Sequence, residues 1–255
     1  MSAGKDSKVR LVAVVSGGPD SFCTLIKWLS RGYSASLLFF DYGQKASRRE
    51  YEVVANLAGK INELAVSKGW GSIIEVKKLD LGGLREIWPG RQLTDETVGI
   101  SDKWEETVVV PVRNVVMATI AAAYAYALAD LENLDRVVIL LGSHLDDVKP
   151  REDTYEPLYP DCSPECIKTL ETALGVCHFR AKRVVEIWTP SIGLLRKSEL
   201  LRECYELIGD LVYETYSCYA GGEKHCGVCE SCRNRKKAFR EAGLPDKTVY
   251  EVSDS

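Results

Sequence analysis

The chain has 255 residues, of which 33 are lysine or arginine and 37 are aspartate or glutamate, so its formal net charge is −4. With 45% apolar and 27% charged residues it has the composition of a globular protein, which excludes a disordered chain, a collagen and a coiled coil. The length allows one large domain, or one domain with an appendage. The small negative charge removes any general electrostatic attraction to nucleic acid or to an anionic membrane.

No membrane span or secretory signal is expected. The best apolar window, residues 120–129, is shorter than the roughly 18 apolar residues that a span needs. The first ten residues are polar and lack the apolar stretch of about 7–15 residues that marks a signal peptide. We therefore expect a cytoplasmic protein. Its nine cysteines then point to metal binding before disulfides, because thiols stay reduced in that compartment.

The first 80 residues alternate between two periodicities. Apolar runs at 9–15, 34–40 and 73–79 predict three buried strands, and the segments 21–29 and 47–68 predict helices between them. Strand, helix, strand, helix and strand in this order predict a doubly wound, mostly parallel α/β sheet. Its binding site is then expected beyond the carboxyl ends of the strands.

The remaining elements continue this pattern until the last 40 residues. Residues 82–110 contain glycine and proline and are expected to cross the surface as an irregular excursion. Further helices are expected at 113–131, 164–174 and 197–207, and further strands at 136–141 and 184–188. The C-terminal part holds four clustered cysteines and a basic helix. We therefore divide the chain into an α/β domain, residues 1–208, and a C-terminal metal-binding module with its helix, residues 209–255.

A glycine loop connects the first strand to the first helix, with the sequence Ser-Gly-Gly-Pro-Asp-Ser at 16–21. Two glycines let the backbone turn tightly, and the free N–H groups of the turn and of the helix start favour an anion such as phosphate. The loop is neither a Walker A motif nor GxGxxG. It resembles the SGGxDS loop of the ATP pyrophosphatase superfamily, also called PP-loop or adenine nucleotide α-hydrolase-like. An ordinary glycine turn is the alternative.

This resemblance implies a nucleotide chemistry. In that superfamily the loop holds the β- and γ-phosphates as a leaving group, while a substrate oxygen attacks the α-phosphorus and forms an adenylate. ATP with Mg²⁺ is then the expected co-substrate, and Asp20 is expected to help hold the Mg²⁺. The loop residues implied in phosphate binding are Ser16, Gly17, Gly18, Pro19, Asp20 and Ser21.

Four cysteines lie within 15 residues, at Cys218, Cys226, Cys229 and Cys232. Two overlapping CxxC steps bring sulfurs to one point, and four thiolates complete a tetrahedral coordination, so we expect one structural Zn²⁺ per chain. A redox CxxC pair and an iron–sulfur cluster stay open as alternatives. His225 is expected to be a bystander. The cations of the following helix are expected to balance the charge of the metal centre and to face solvent, although a nucleic-acid patch is the competing interpretation.

Further segments follow in order through the middle of the chain. Residues 39–45 are Phe-Phe-Asp-Tyr-Gly-Gln-Lys, 111–114 are Pro-Val-Arg-Asn, 159–162 are Tyr-Pro-Asp-Cys, and Thr-Pro at 189–190 precedes Lys-Ser-Glu at 197–199. With the glycine loop and the cysteines they resemble the 7-cyano-7-deazaguanine synthase (QueC) family over about residues 9–240. The sequence departs from that family at Val112, where the family usually has glycine, and in the loops 81–110 and 145–158.

The resemblance implies conversion of 7-carboxy-7-deazaguanine and ammonia to the nitrile, as in queuosine and archaeosine biosynthesis. An adenylated acid and then an adenylated amide would each release AMP, and each activation would release pyrophosphate. The implied catalytic residues are Asp20, Arg113 and Lys197; Phe40 and Gln44 are implied at the nucleotide, and Lys45, Tyr159 and Asp161 at the substrate, with Asp161 accepting hydrogen bonds from its guanine-like edge. The expected partners are these small molecules, without membrane or nucleic acid, and a homodimer is left open.

Other functions stay open from the sequence. A divergent relative would adenylate the same acid and pass it to another amine. A different PP-loop enzyme, such as a tRNA-modifying thiolase or a lysidine-type ligase, would use the basic tail for RNA. A thiolase needs catalytic cysteines outside the metal set, and Cys162 with Cys166 is the close pair available. A non-enzymatic zinc-binding RNA module is the last alternative.

Overall fold

A five-stranded, all-parallel sheet forms the centre of the computed structural model, which describes residues 8–178 and 184–252. The strands follow the order β3-β2-β1-β4-β5 across the sheet. Their bounds are β1 Val9–Val14, β2 Ala35–Asp41, β3 Ile73–Asp80, β4 Arg136–Leu140 and β5 Val184–Trp188. The prediction of a doubly wound α/β sheet is confirmed.

Helices cover both faces of this sheet. Their bounds are α1 Pro19–Leu29, α2 Ser47–Lys68, α3 Arg113–Leu131, α4 Pro164–Cys177, α5 Lys197–Ile208 and α6 Glu230–Ala242. Helix α1 begins two residues earlier than predicted, because the fixed φ of Pro19 suits the first helical position and its missing N–H is not needed there.

Helix α3 is the most apolar α-helix of the described residues. The segment Glu106–Leu131, which contains it, is long and apolar enough to cross a membrane by length and composition. Its small side chains, including Ala118, Ala121 and Ala125, are fully buried and pack in the cluster that also contains β4 and β5. We therefore interpret α3 as a core helix of the sheet.

The C-terminal segment shares the core of the α/β part. Cys218, Cys232 and Phe239 belong to the same apolar cluster as Val54 of α2 and Leu200 of α5. Helix α6 packs directly on α5. The position of the four-cysteine segment is therefore fixed by the same packing that holds α5 against the sheet.

A disulfide joins α1 to α5. Cys23 and Cys204 are almost fully buried, their Cα atoms lie 5.2 Å apart, and 181 positions separate them in sequence. Sequence analysis did not predict this pair. It links the helix that follows the glycine loop to the helix that begins at Lys197.

Candidate functional site

A cavity of about 550 Å³ opens at the carboxyl ends of β1 and β4, where the strand order changes direction. This switch point is where ligands bind in open parallel sheets. Gly142, just after β4, lies so close to α1 that a Cβ atom there would be 2.8 Å from the backbone nitrogen of Ser21. The close approach of the end of β4 to the first turn of α1 therefore needs glycine at this position.

The glycine loop forms one wall of the cavity. The Ser21 hydroxyl accepts a hydrogen bond from the Ser16 N–H at 3.2 Å and donates one to the Gly18 carbonyl at 3.2 Å, which closes the turn. Gly17 has φ +81°, and a Cβ atom there would lie 2.9 Å from the carbonyl oxygen of Glu50. Ser16, Gly18, Asp20 and Ser21 line the cavity. Their arrangement is the one that a phosphate-binding helix start requires.

Asp20 and Lys197 form an ion pair inside this cavity. The Lys197 ammonium donates to Asp20 Oδ2 at 2.8 Å, and His144 Nε2 lies 3.7 Å from Asp20 Oδ1. Burial raises the pKa of the Asp20 carboxyl, but Lys197 and His144 outweigh it and hold that pKa well below its usual range. Asp20 is therefore an anion at neutral pH. The two residues that the sequence placed at the phosphates lie together, 177 positions apart in the chain.

Arg113 lies on the opposite wall. Its Nη1 donates to the Tyr42 hydroxyl at 3.0 Å, and its guanidinium stacks 5.7 Å from the centre of the Tyr42 ring. Arg113 is the first residue of α3, directly after Val112, which has φ +50°. That left-handed conformation favours glycine, so the departure from the family pattern at Val112 coincides with backbone strain.

Asp161 does not line the cavity. Its Oδ2 accepts a hydrogen bond from the Asn114 backbone N–H at 2.9 Å, in the first turn of α3. A carboxylate in this position caps the helix that begins at Arg113. In the structure Asp161 thus caps the helix that carries Arg113, and the prediction that it recognises the purine edge stays a prediction.

The other residues predicted from the sequence divide into two groups. Phe40 and Tyr159 line the cavity. Gln44 also lines it, but its amide group donates to the Phe40 carbonyl and to Glu50 and accepts from the Tyr42 N–H, so it holds protein groups. Lys45 donates to the Val98 carbonyl at 2.7 Å and lies outside the described cavity lining, so we remove it from the candidate substrate contacts.

Several cavity residues were missed by sequence analysis. Glu50, Asp147, Tyr219 and Glu230 all line the cavity. The Tyr219 hydroxyl donates to Glu230 Oε2 at 3.1 Å, and Glu230 begins α6 directly after a cysteine of the cluster. In the sequence, a glutamate of an amphipathic helix that faces a cavity cannot be told from one that faces solvent. No sequence pattern therefore indicated Glu50. Trp104, from the excursion, also lines the cavity and adds a third aromatic side chain to those of Tyr159 and Tyr219.

The four cysteines form a group that fits a tetrahedral metal ion. The sulfur atoms of Cys218, Cys226, Cys229 and Cys232 all lie within 4.8 Å of one another. Zinc–sulfur bonds of about 2.3 Å place tetrahedral ligands about 3.8 Å apart, and the Cys226 and Cys232 sulfurs are 3.9 Å apart. Backbone N–H groups donate to three of the sulfurs, those of Cys218, Cys226 and Cys229. His225 instead accepts from the Ser217 N–H at 3.2 Å and lies outside the sulfur group, as a bystander would.

The basic helix α6 is not a uniform solvent-facing surface. Arg235 is fully buried and donates to the hydroxyls of Thr248 and Thr215. The expectation that the α6 cations face solvent is therefore wrong for Arg235, which ties the C-terminal segment together. Arg233 is exposed and pairs with Asp102 of the excursion at 2.7 Å.

Comparisons with known proteins show the family of the chain. The sequence profile of the family described as Queuosine biosynthesis protein QueC matches residues 10–243. The chain is 32% identical over 250 residues to the 7-cyano-7-deazaguanine synthase of Caldicellulosiruptor bescii, covering 96% of this chain and 98% of that protein. It is 34% identical over 247 residues to the protein of that name from Acetivibrio thermocellus, covering 94% and 97%. The 7-cyano-7-deazaguanine synthase of Pseudoalteromonas translucida is 29% identical, with 95% and 99% covered. The chain belongs to the QueC family of queuosine biosynthesis proteins.

Proposed function

We propose that the protein converts 7-carboxy-7-deazaguanine and ammonia to 7-cyano-7-deazaguanine, with cleavage of ATP to AMP and pyrophosphate in each of two activations. The observation that carries this proposal is the cavity at the switch point, which combines the glycine loop with the Asp20–Lys197 pair. The family membership supplies the substrate class. The product would enter queuosine-type or archaeosine-type 7-deazapurine biosynthesis.

The chemistry explains why ATP is needed twice. A carboxylate cannot expel oxide, so its oxygen attacks the α-phosphorus of ATP, pyrophosphate leaves, and the carbonyl carbon gains AMP as a leaving group. Ammonia displaces AMP and gives the amide. The amide oxygen is then adenylated in the same way, and loss of AMP with the remaining N–H protons leaves the nitrile. One site serves both activations because each presents a nucleophilic oxygen to an α-phosphorus.

Residue roles follow from the positions around the cavity. The glycine loop residues would hold the departing pyrophosphate through their backbone N–H groups. Lys197 and Arg113 would neutralise charge that develops on the phosphates, and Asp20 would hold the Mg²⁺ that accompanies ATP. The aromatic side chains of Trp104, Tyr159 and Tyr219 in the lining would offer faces for a flat heterocycle.

We propose zinc for the four-cysteine group, in a structural role. Four sulfurs leave no open coordination position for substrate, and the group lies in the shared core rather than in the cavity lining. The metal would fix the turn before α6, whose first residue, Glu230, lines the cavity.

The cysteine chemistry argues against a sulfur-transfer enzyme. Burial raises the pKa of the Cys162 thiol well above its usual value, and it raises the pKa of Cys166 as well. Thiols with raised pKa values are poor nucleophiles at neutral pH. Cys162 instead accepts a hydrogen bond from the Asn114 side chain at 3.2 Å.

The test is product analysis with purified protein, ATP, ammonium and the carboxylic acid. We expect the nitrile by mass spectrometry, with AMP and pyrophosphate as the nucleotide products. ADP as the stoichiometric product would contradict α–β cleavage and reject the assignment. Formation of AMP and pyrophosphate without nitrile in the presence of ammonium, together with an amide when another amine is supplied, would favour the divergent relative.

A further inference from the structure

Glu50 is an acidic residue of the cavity lining beside the glycine loop. It is in the first turn of α2, its backbone carbonyl approaches Gly17 of the glycine loop, and its side chain lines the cavity. The carboxylate therefore lies on the phosphate side of the cavity, between the loop and Arg113, whose charge lowers its pKa. A carboxylate in this place does not bind phosphate directly, because the two anions repel each other.

The protein holds this carboxylate in one orientation. Gln44 Nε2 donates to Glu50 Oε2 at 2.9 Å and also to the Phe40 carbonyl, while Gln44 Oε1 accepts from the Tyr42 N–H. Among the described residues, no hydrogen bond is made to Oε1 of Glu50. One oxygen is thus fixed by an internal amide, and the second is left for a ligand.

The proposed reaction releases protons from a single nitrogen atom. Ammonia carries three hydrogens and the nitrile nitrogen carries none. One proton leaves when ammonia displaces the first AMP, and two leave when the adenylated amide loses the second AMP. The oxygens of the acid leave with the two AMP molecules, so no other co-reactant is needed. A base beside the reacting carbon is required in both rounds.

Resting on the proposed function, we propose that Glu50 is the proton acceptor for the substrate nitrogen, positioned by Gln44. Burial raises the pKa of its carboxyl to about 7, and the Gln44 hydrogen bond and Arg113 partly offset this, while Asp41 adds to it. The titratable groups that face it are Arg113 of α3, Asp41 and Tyr42 after β2, and Tyr216 beside the loop. A carboxyl with this pKa accepts a proton and returns it to solvent near neutral pH.

The other carboxyl groups of the cavity are engaged differently. Asp20 is paired with Lys197, and Asp147 Oδ2 accepts the His144 backbone N–H at 2.9 Å. Both oxygens of Glu230 accept hydrogen bonds, from Tyr219 and from Asn234. Asp147 Oδ2 also lies 3.4 Å from Nδ1 of the His144 ring, and the lining carboxylates Asp102, Asp146 and Glu241 pair with Arg233, Lys149 and Lys237. Among the described lining residues, Glu50 is therefore the carboxylate that is held by an amide through one oxygen alone and faces no cationic partner at ion-pair distance.

The test compares Glu50→Gln with the wild type and with Glu52→Gln, an ion-paired glutamate of the same helix outside the cavity. Glutamine keeps the size of the side chain and an oxygen for Gln44. Nitrile formation is followed at constant free ammonia between pH 5.5 and 8.5. Adenylation is followed separately by acid-dependent exchange of labelled pyrophosphate into ATP, a half-reaction that involves no nitrogen.

We expect Glu50→Gln to keep pyrophosphate exchange within about twofold and to lose about 10²- to 10⁴-fold in nitrile formation, the range for a general base. Wild-type turnover should rise with pH through about 7, since the base must be unprotonated, and the variant should lack this rise. Glu52→Gln should match the wild type. Supplying the amide should not restore Glu50→Gln, because two protons leave in the second round.

Three results would overturn the role of Glu50. These are nitrile formation by Glu50→Gln within about threefold of wild type, an equal loss of exchange and nitrile formation, and rescue by the amide. Absence of exchange in the wild type itself would instead reject the proposed function, so the two failures are distinguishable.

Discussion

The backbone strain at Val112 can be measured by substitution at this position. It precedes Arg113 with φ +50° and ψ +23°, and its side chain is 58% exposed. A residue with a Cβ atom in this region costs about 1–2 kcal/mol, whereas glycine adopts it freely. Glycine in turn loses about 0.5–1 kcal/mol through the greater entropy of the unfolded chain. At this position glycine should therefore give a higher free energy of unfolding than a residue with a Cβ atom, by roughly 0.5 kcal/mol.

The comparison is made between alanine and glycine, because both remove the valine methyl groups. Val112→Gly should be more stable than Val112→Ala by roughly 0.5 kcal/mol. At Val249, which is 62% exposed and is not among the residues with positive φ, glycine should be less stable than alanine by about 0.5–1 kcal/mol. The sign of the difference is thus expected to reverse between the two sites.

Urea denaturation of the four metal-loaded variants measures this, with the midpoint compared at constant slope. If glycine destabilises position 112 relative to alanine as it does position 249, the left-handed conformation of Val112 is not strained and the reasoning fails. Glycine is also the residue that the family usually has at this position, so activity of Val112→Gly should be retained.

Two further predictions concern the metal group and the start of α3. The purified protein should contain about one zinc per chain by elemental analysis, and Cys229→Ala should lose the metal and unfold at lower urea, because zinc binding contributes to the free energy of folding; absence of zinc, or a fully active and equally stable variant, would contradict this. Asp161→Ala should lower the free energy of unfolding by about 1–2 kcal/mol through the lost cap of Asn114, yet keep the wild-type preference for the substrate over its des-amino analogue in kcat/KM. Loss of that preference would show that Asp161 contacts the purine after all.

The elements of the sheet were predictable because buried parallel strands are continuous apolar runs. Residues 9–15 and 34–40 lack the periodic polar positions of an amphipathic helix, so they read as strands. The glycines that follow them mark the strand ends. The cysteine spacing was informative for a related reason, since CxxC steps bring sulfurs together locally. Both signals depend on neighbours in sequence.

The structural features that the sequence did not reveal depend on partners that are distant in sequence. Asp161 caps a helix that begins 48 positions earlier, at Arg113, and the Cys23–Cys204 disulfide spans 181 positions. Arg235 is buried because Thr215 and Thr248 surround it, although its helix has the composition of an exposed one. Glu50 differs from the exposed Glu52 only in which face of α2 meets the cavity. None of these distinctions is encoded in a local pattern.

The Asp20–Lys197 pair shows how the site can remain electrically balanced during the proposed reaction. Without nucleotide, the carboxylate and the ammonium neutralise each other at 2.8 Å, so neither charge is left unpaired in the cavity. In the proposed reaction, ATP would bring a phosphate that pairs with Lys197, and its Mg²⁺ would pair with Asp20. An exchange of partners keeps every charge paired, and the free energy lost in separating the two side chains is offset by two new pairs. The disulfide between α1 and α5 holds the helices that carry both residues, so the exchange requires movement of side chains rather than of helices.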